Sequence, residues 1–332
     1  MSFELKAAPE FRPHPLIRGG HLQTVFAVMA APPPPLPATR VHPLRLPDGD
    51  QLVLHENLPA TPDVTHAQSA LLIHGLCGCH SAGYMVRTAR RLLAHGYRVF
   101  RLDMRGCGAG RELARNITHA GRSEDVRAAL RYIALQSSGP IDAIGFSLGG
   151  NQLLKALGEI PGDPHEGELR SRLRRAAAAA PPVQLDYCAA QMERWLLRPY
   201  NRYFIGRLIR NAPTQVAQSE QFKTLQRQRR PRTLREFDEQ FTAPLAGFSS
   251  ADDYYAQASA APRLPQIEIP TLVLASRDDP LVPVAAIENA AWSPTTHPMI
   301  TEHGGHIGYW SNQPDRRWMD AALSQWIVSG AP

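Results

Sequence analysis

The chain has 332 residues, 43% of them hydrophobic, enough for one large α/β domain with an insertion or for two ordinary domains. No apolar run approaches the roughly 20 residues of a membrane-spanning helix, and the N-terminus lacks the basic-then-apolar pattern of a secretory signal, so a cytoplasmic protein is expected. The formal net charge of +6 comes almost entirely from arginines spread along the chain, densest at 170–175 and 227–235. They form no nucleic-acid-binding module and read as solvated surface, with weak association to an anionic lipid surface as the alternative. Cys77, Cys79, Cys107 and Cys188 suit a reducing compartment without a disulfide framework. Cys77-Gly78-Cys79 lacks the second ligand pair of a zinc site, so neither metal nor cofactor is expected. Oligomeric state has no signature in the composition.

In chain order, residues 1–40 read as an extended arm ending in the prolines Pro32 to Pro35 and Pro37, which favour polyproline geometry. Within it, His14 to Phe26 is expected to cross the body as an irregular strap, with His21 in a structural role. Residues 41–332 read as the main domain. Val41 to Leu46 and Gln51 to Glu56 flank Pro47-Asp48-Gly49-Asp50 as a hairpin. Ser69 to His74 is a short buried strand, Ala82 to Ala94 an amphipathic helix stopping before Gly96, and Tyr97 to Leu102 the next strand. Gly121 to Leu135 places Val126, Ala129, Leu130 and Ile133 on one helical face. Leu173 to Ala180 reads as a strand, with helix as the competitor.

From about 183 to 263 aromatics and arginines recur at helical spacing, and Trp195 to Ile209 suggests two helices. Because strand–helix alternation resumes only afterwards, this stretch reads as an inserted helical lid. Ile269 to Ser276 is a buried strand, Pro283 to Ala291 a helix, Pro298 to Glu302 the last strand, and Pro314 to Val328 a closing helix. Strands alternating with helices predict a mostly parallel sheet covered on both faces.

The chemistry centres on Ile141 to Asn151, where an apolar run ends in Gly145-Phe146-Ser147-Leu148-Gly149 and a helix-forming run follows. Strand, sharp turn and helix can present Ser147 as a nucleophile if the residues two positions either side are small. Alone the pattern is weak, since about 0.1 matches are expected by chance at average glycine and serine usage. A serine hydroxyl also needs a base, and the base an orienting acid. The order Ser, Asp, His is present, each after a strand. Asp279 stands at the mouth of a proline-rich turn and is the expected acid, with Asp278 the alternative. His306, between glycines in Gly304-Gly305-His306-Ile307-Gly308, is the expected base, and His303 serves the loop. The backbone N–H groups of Leu148 and Leu76 are the expected oxyanion donors, with His74 shaping the second loop.

These residues resemble those of an α/β-hydrolase. More narrowly, the chain resembles the YheT-like and ABHD1/ABHD3-like subfamily, which includes medium-chain ester synthase/esterases. The stretches that carry this are Gly20-His21-Leu22-Gln23-Thr24, His74-Gly75-Leu76, Arg105-Gly106-Cys107-Gly108, Gly145 to Asn151, Asp278-Asp279-Pro280 and Gly304 to Gly308, with Phe237-Asp238 and Tyr254-Tyr255 in the insertion. The resemblance implies a serine hydrolase acting on medium-chain or lipid-like acyl esters. Acyl transfer to an alcohol, and ligand binding without catalysis, are the rival readings.

Overall fold

The computed structural model describes residues 10–60 and 68–329, so residues 1–9 of the expected arm and residues 61–67 and 330–332 of the main domain lie outside it. Turn-bounded apolar runs form strands. β1 (Arg40–Arg45) and β2 (Gln51–Asn57) pair antiparallel as a hairpin, and β2 pairs antiparallel with β4 (Arg98–Asp103). With β3 (Ser69–Ile73), β5 (Ile141–Phe146), β6 (Leu173–Ala179), β7 (Thr271–Ser276) and β8 (Thr296–Thr301), they make one sheet of order β1-β2-β4-β3-β5-β6-β7-β8. Every pairing from β4 across to β8 is parallel.

Side chains alternate through this sheet into two apolar layers. Leu71, Ile73 and Ala143 face α3 (Ser123–Gln136) and α4 (Leu148–Glu159), meeting Val126, Ala129, Leu130 and Ile133, the face that the spacing predicts. Ala70, Leu72 and Ile144 face α2 (Gly83–Ala94) and the closing helix Trp318–Val328. β6 is a strand, and its Ala178 lies under α4 in ordinary contact distance, 3.5 Å from a Cβ placed on Gly150. The indole N–H of Trp326 also reaches the Ala176 carbonyl at 2.8 Å.

The structure departs from expectation in four places. Residues 20–29 are a helix, α1 (Gly20–Met29), and not an irregular strap. Its buried residues are Gly20, Gln23 and Thr24, so a search for a buried apolar stripe misses it. Residues 195–210 form one turn (Trp195–Leu197) and a single helix (Arg198–Arg210) in place of two helices, since Pro199 is tolerated in a first turn. The helix expected over 283–291 shrinks to Ala285–Glu288. The closing helix begins at Trp318, four residues later than the sequence suggests, after a turn in which the Ser311 N–H donates to the Arg316 carbonyl at 2.9 Å.

Between β6 and β7 the chain leaves the sheet and builds an apolar cluster of its own from Ile205, Val216, Phe222, Phe237 and Phe241. Its polar centre is Asp238, which opens a π-helical turn (Asp238–Thr242). The carboxylate accepts hydrogen bonds from Thr242 Oγ1 at 2.7 Å and from the Tyr255 hydroxyl at 2.8 Å. Burial outweighs both and pushes Asp238 up to about 6. A raised folded pKa gives stability that is complete below the unfolded value of 3.8 and lost as pH rises through about 6. As pH falls from 7.5 to 5, wild-type protein is therefore expected to gain about 1 kcal/mol over Asp238→Asn. Denaturant unfolding at several pH values reads this; a constant gap would show that Asp238 does not titrate in that range.

Candidate active site

Parallel strands on either side of a reversal in strand order leave a crevice beyond their carboxyl ends. Here β3 lies between β4 and β5, and the loops after β3, β5, β7 and β8 gather at that end. Ser147 follows β5 directly and has φ 50° and ψ −118°, a conformation that costs a non-glycine residue about 1–3 kcal/mol. The turn is held by a 2.8 Å hydrogen bond from its N–H to the Ala179 carbonyl. It also needs small neighbours. A Cβ on Gly145 would come within 2.4 Å of the Gly149 carbonyl oxygen, and one on Gly149 within 2.4 Å of the His74 carbonyl oxygen.

The Ser147 hydroxyl lies 2.8 Å from His306 Nε2, and His306 Nδ1 lies 2.9 Å from Asp279 Oδ2. A carboxylate only accepts, so Nδ1 carries the imidazole proton and Nε2 is left to accept the serine proton. The second oxygen of Asp279 accepts from the N–H groups of Leu281 at 2.8 Å and Val282 at 3.0 Å, which fixes the carboxylate. Both Asp279 and His306 are buried. Of the two aspartates, Asp279 meets the histidine. Asp278 turns away, accepting from the Gly305 N–H at 2.9 Å and approaching the exposed His303 ring at 3.3 Å.

Leu148 follows Ser147 directly, and the loop that carries Leu76 approaches the serine at Gly75, where an added Cβ would stand 3.1 Å from Ser147 Cβ. Leu148 opens α4, where the first N–H groups lack helical acceptors, and neither its amide nor that of Leu76 is hydrogen-bonded among the described residues. His74 shapes the Leu76 loop. Burial lowers its pKa and keeps it neutral; its Nδ1 meets the Gly75 carbonyl at 2.8 Å, and its Nε2 accepts from the Met104 N–H at 3.3 Å. The Tyr84 hydroxyl accepts from the Gly75 N–H at 2.9 Å.

For metals, His55, His80 and Asp103 are the one cluster among the described residues with ligand atoms close enough to share an ion. Its donors are already used. Asp103 Oδ2 accepts from His55 at 2.9 Å, His80 at 2.8 Å and the Ala109 N–H at 2.9 Å, and Oδ1 from the His80 N–H at 2.6 Å. Burial opposes ionisation, but the hydrogen bonds from the two histidines hold the Asp103 carboxyl well below the usual range. Burial pushes the Cys77 thiol up to about 12, which makes it a poor thiolate ligand at neutral pH.

Two groups of site residues escape a reading by motif order. Thr24 on α1 accepts from the His306 N–H at 2.8 Å and donates to the Gly20 carbonyl at 2.7 Å. Gln23 accepts from the Trp310 N–H at 2.6 Å and donates to the carbonyls of Ile17 at 2.6 Å and Trp310 at 3.1 Å. Gly20 lies so close to the Asp278 backbone that a Cβ would sit 1.6 Å from its carbonyl oxygen. The helix thus grips both loops that carry Asp279 and His306. Asn151, one turn after Ser147, donates to the carbonyls of Ala120 and Ala258 at 3.0 Å and accepts from the Ala260 N–H at 2.9 Å. It ties the return of the inserted region to α4. The only sequence signal for either was their place in Gly20 to Thr24 and Gly145 to Asn151.

The sheet order, the strained serine and the Ser147–His306–Asp279 line define one class of protein. The chain belongs to the α/β-hydrolase fold family, whose model matches residues 71–313. Its relatives are those of the YheT-like and ABHD3-like subfamily. The chain is 30% identical to the YheT protein of Escherichia coli (strain K12), an esterase by name, over 86% of this chain and 84% of that one. It is 28% identical to the human phospholipase ABHD3, over 93% of this chain and 76% of the relative. Among solved structures, the Pyrococcus furiosus esterase Pf2001 superposes with a TM-score of 0.55 at 17% identity, over 90% of this chain and all of that one, a likeness of fold.

Replacing Thr24 by valine keeps the shape and leaves the His306 N–H unpaired. Thr24→Val is expected to cost about 1–3 kcal/mol of stability. Because His306 is displaced and not removed, kcat on a soluble ester is expected to fall with little change in KM. An unchanged kcat would show that α1 does not hold the histidine.

Proposed function

We propose that the protein hydrolyses carboxylic esters with medium-chain or lipid-like acyl groups through an acyl-enzyme on Ser147. The observation that carries this is the continuous hydrogen-bonded line from Ser147 Oγ through His306 to Asp279, at 2.8 and 2.9 Å. In this reading His306 Nε2 takes the serine proton as Oγ attacks the ester carbonyl carbon. The carbonyl electron pair moves onto oxygen, where the N–H groups of Leu76 and Leu148 stabilise it. Collapse breaks the bond to the leaving alkoxide, and His306 returns the proton to release the alcohol. His306 next takes a proton from water, whose hydroxide attacks the acyl carbon. The second collapse breaks the bond from the acyl carbon to Oγ, His306 returns its proton to that oxygen, and the carboxylic acid leaves with Ser147 restored. Asp279 stays ionised, holds the Nδ1 proton and steadies the imidazolium.

The names of the relatives support the ester class, since YheT is named an esterase and ABHD3 a phospholipase. Residues 183–263 serve in this proposal as a lid over the acyl pocket, anchored by Asn151. Residues 10–40 serve as an arm that braces the base.

Ser147→Ala is expected to lower turnover of short and medium acyl esters at least about a thousandfold while leaving the melting temperature nearly unchanged. Wild-type protein should also be labelled at Ser147 by a fluorophosphonate. Near wild-type turnover in the variant would overturn the proposal. With ethanol added to the assay, free acid is the expected main product, and an ethyl ester in its place would make the protein an acyltransferase.

A further inference from the structure

Helix α1 is inside out. Gln23 and Thr24 point inward because they hold the His306 loop, and among the apolar side chains of the helix Phe26 packs edge-on against the Trp310 ring at 4.8 Å. Its outward positions should then be polar, as on other surface helices. Instead Leu22, Val25, Val28 and Met29 face solvent, Val28 at 66% and Met29 at 78% exposure, and Leu16 just before the helix is exposed at 84%. None of the contacts that hold the catalytic loops requires these residues to be apolar.

A second exposed apolar segment adjoins the first. Trp195 and Leu196 are exposed at 69% and 53%, and Tyr203 follows two turns later. The two segments meet where His21 stacks on Tyr200, with ring centroids 5.8 Å apart and His21 Nδ1 3.2 Å from the tyrosine hydroxyl. Both border the site. Thr24 bonds the His306 amide, while Leu197 packs with Leu281, whose amide holds Asp279. Basic side chains accompany the apolar ones. Arg18, Arg194, Arg198 and Arg202 are exposed, and none forms an ion pair among the described residues. Between residues 190 and 203 Glu193 is the one acid.

We propose that this face, α1 with the 194–203 segment, docks on an anionic lipid bilayer and sets the mouth of the site against the membrane surface. Outward apolar side chains with an interface-seeking tryptophan enter the boundary between headgroups and acyl chains. The arginines meet lipid phosphates, each worth about a fivefold gain in partitioning near an anionic surface. No helix among the described residues is long and apolar enough to cross a membrane, so the contact is peripheral. Docking requires no ester cleavage and does not depend on the proposed reaction.

The test is flotation of the full-length protein with vesicles of phosphatidylcholine and phosphatidylglycerol in equal parts, beside pure phosphatidylcholine vesicles, at low and high salt. Wild-type protein and Ser147→Ala are expected to float alike with anionic vesicles, more weakly with neutral ones, and less at high salt. The double substitution Val28→Glu with Met29→Glu, and separately Trp195→Glu, should each lower partitioning about tenfold or more. Their melting temperatures should stay near the wild-type value, which shows that these variants are folded. Arg194→Glu with Arg198→Glu should abolish the preference for anionic vesicles. Absence of wild-type binding, equal binding by the variants, or salt-insensitive binding to both vesicle types would overturn the proposal. So would a wild-type dimer that the same substitutions dissociate without vesicle binding, because the face would then be covered by a second copy of the chain.

Discussion

The tight crossing of β5 and α4 at Ser147 is the constraint to which the rest of the molecule is fitted. A serine at φ 50° persists only where its surroundings over-determine it. Its N–H is bound to β6, and the contacts at Gly145 and Gly149 leave no space for a methyl group. Of the β6 alanines, Ala176 and Ala178 lie in the layer that α4 covers, while Ala177 and Ala179 face the opposite layer. Packing energy from the two apolar layers holds a strained residue in one geometry. That residue then points its hydroxyl out of the sheet with little freedom to lose.

Around this point buried polar groups act as fasteners for the loops. Arg105 donates to Asp125 on α3 at 2.6 and 2.7 Å, to Asp50 in the hairpin turn at 3.3 Å, and to Asp48. Asp103 pins the loop that holds His80 to the turn at Ala109. Such groups add little net stability over apolar replacements, but removing one partner leaves the other charge buried at a cost of about 3–5 kcal/mol. Their effect is to hold the loops after β3 and β4 in place, and the first of these packs against Ser147 at Gly75. The loop after His306 is fixed differently: Tyr309, itself at φ 45°, is buried between Phe11 and Trp318 at ring distances of 5.2 and 5.5 Å.

Helix α1 shows how one element can serve two environments. Its inner face is polar because a loop backbone needs partners there, which reverses the usual arrangement and leaves apolar side chains outside. A charged outer face would serve solubility as well, so the choice of leucine, valine and methionine bears on what meets that surface. The same helix therefore couples the precision of the histidine to the outside of the molecule.

The strand–helix alternation, the hairpin, and the order Ser147, Asp279, His306 were legible in the sequence, because each rests on local spacing: period two, period 3.6, or a motif after a strand. The choice of Asp279 over Asp278 also agrees with the turn chemistry of Asp279-Pro280. Helix α1, Gln23, Thr24 and Asn151 were not legible in these roles. Their partners lie far along the chain, Thr24 meeting His306 and Asn151 meeting Ala258 and Ala260, and a polar inner face gives no apolar period to detect. The sequence alone determined the order in which Ser147, Asp279 and His306 come, each after a strand. Only the tertiary structure decided which backbone groups hold them in place, since an amide offers no side-chain signal and its partner is set by how the chain packs.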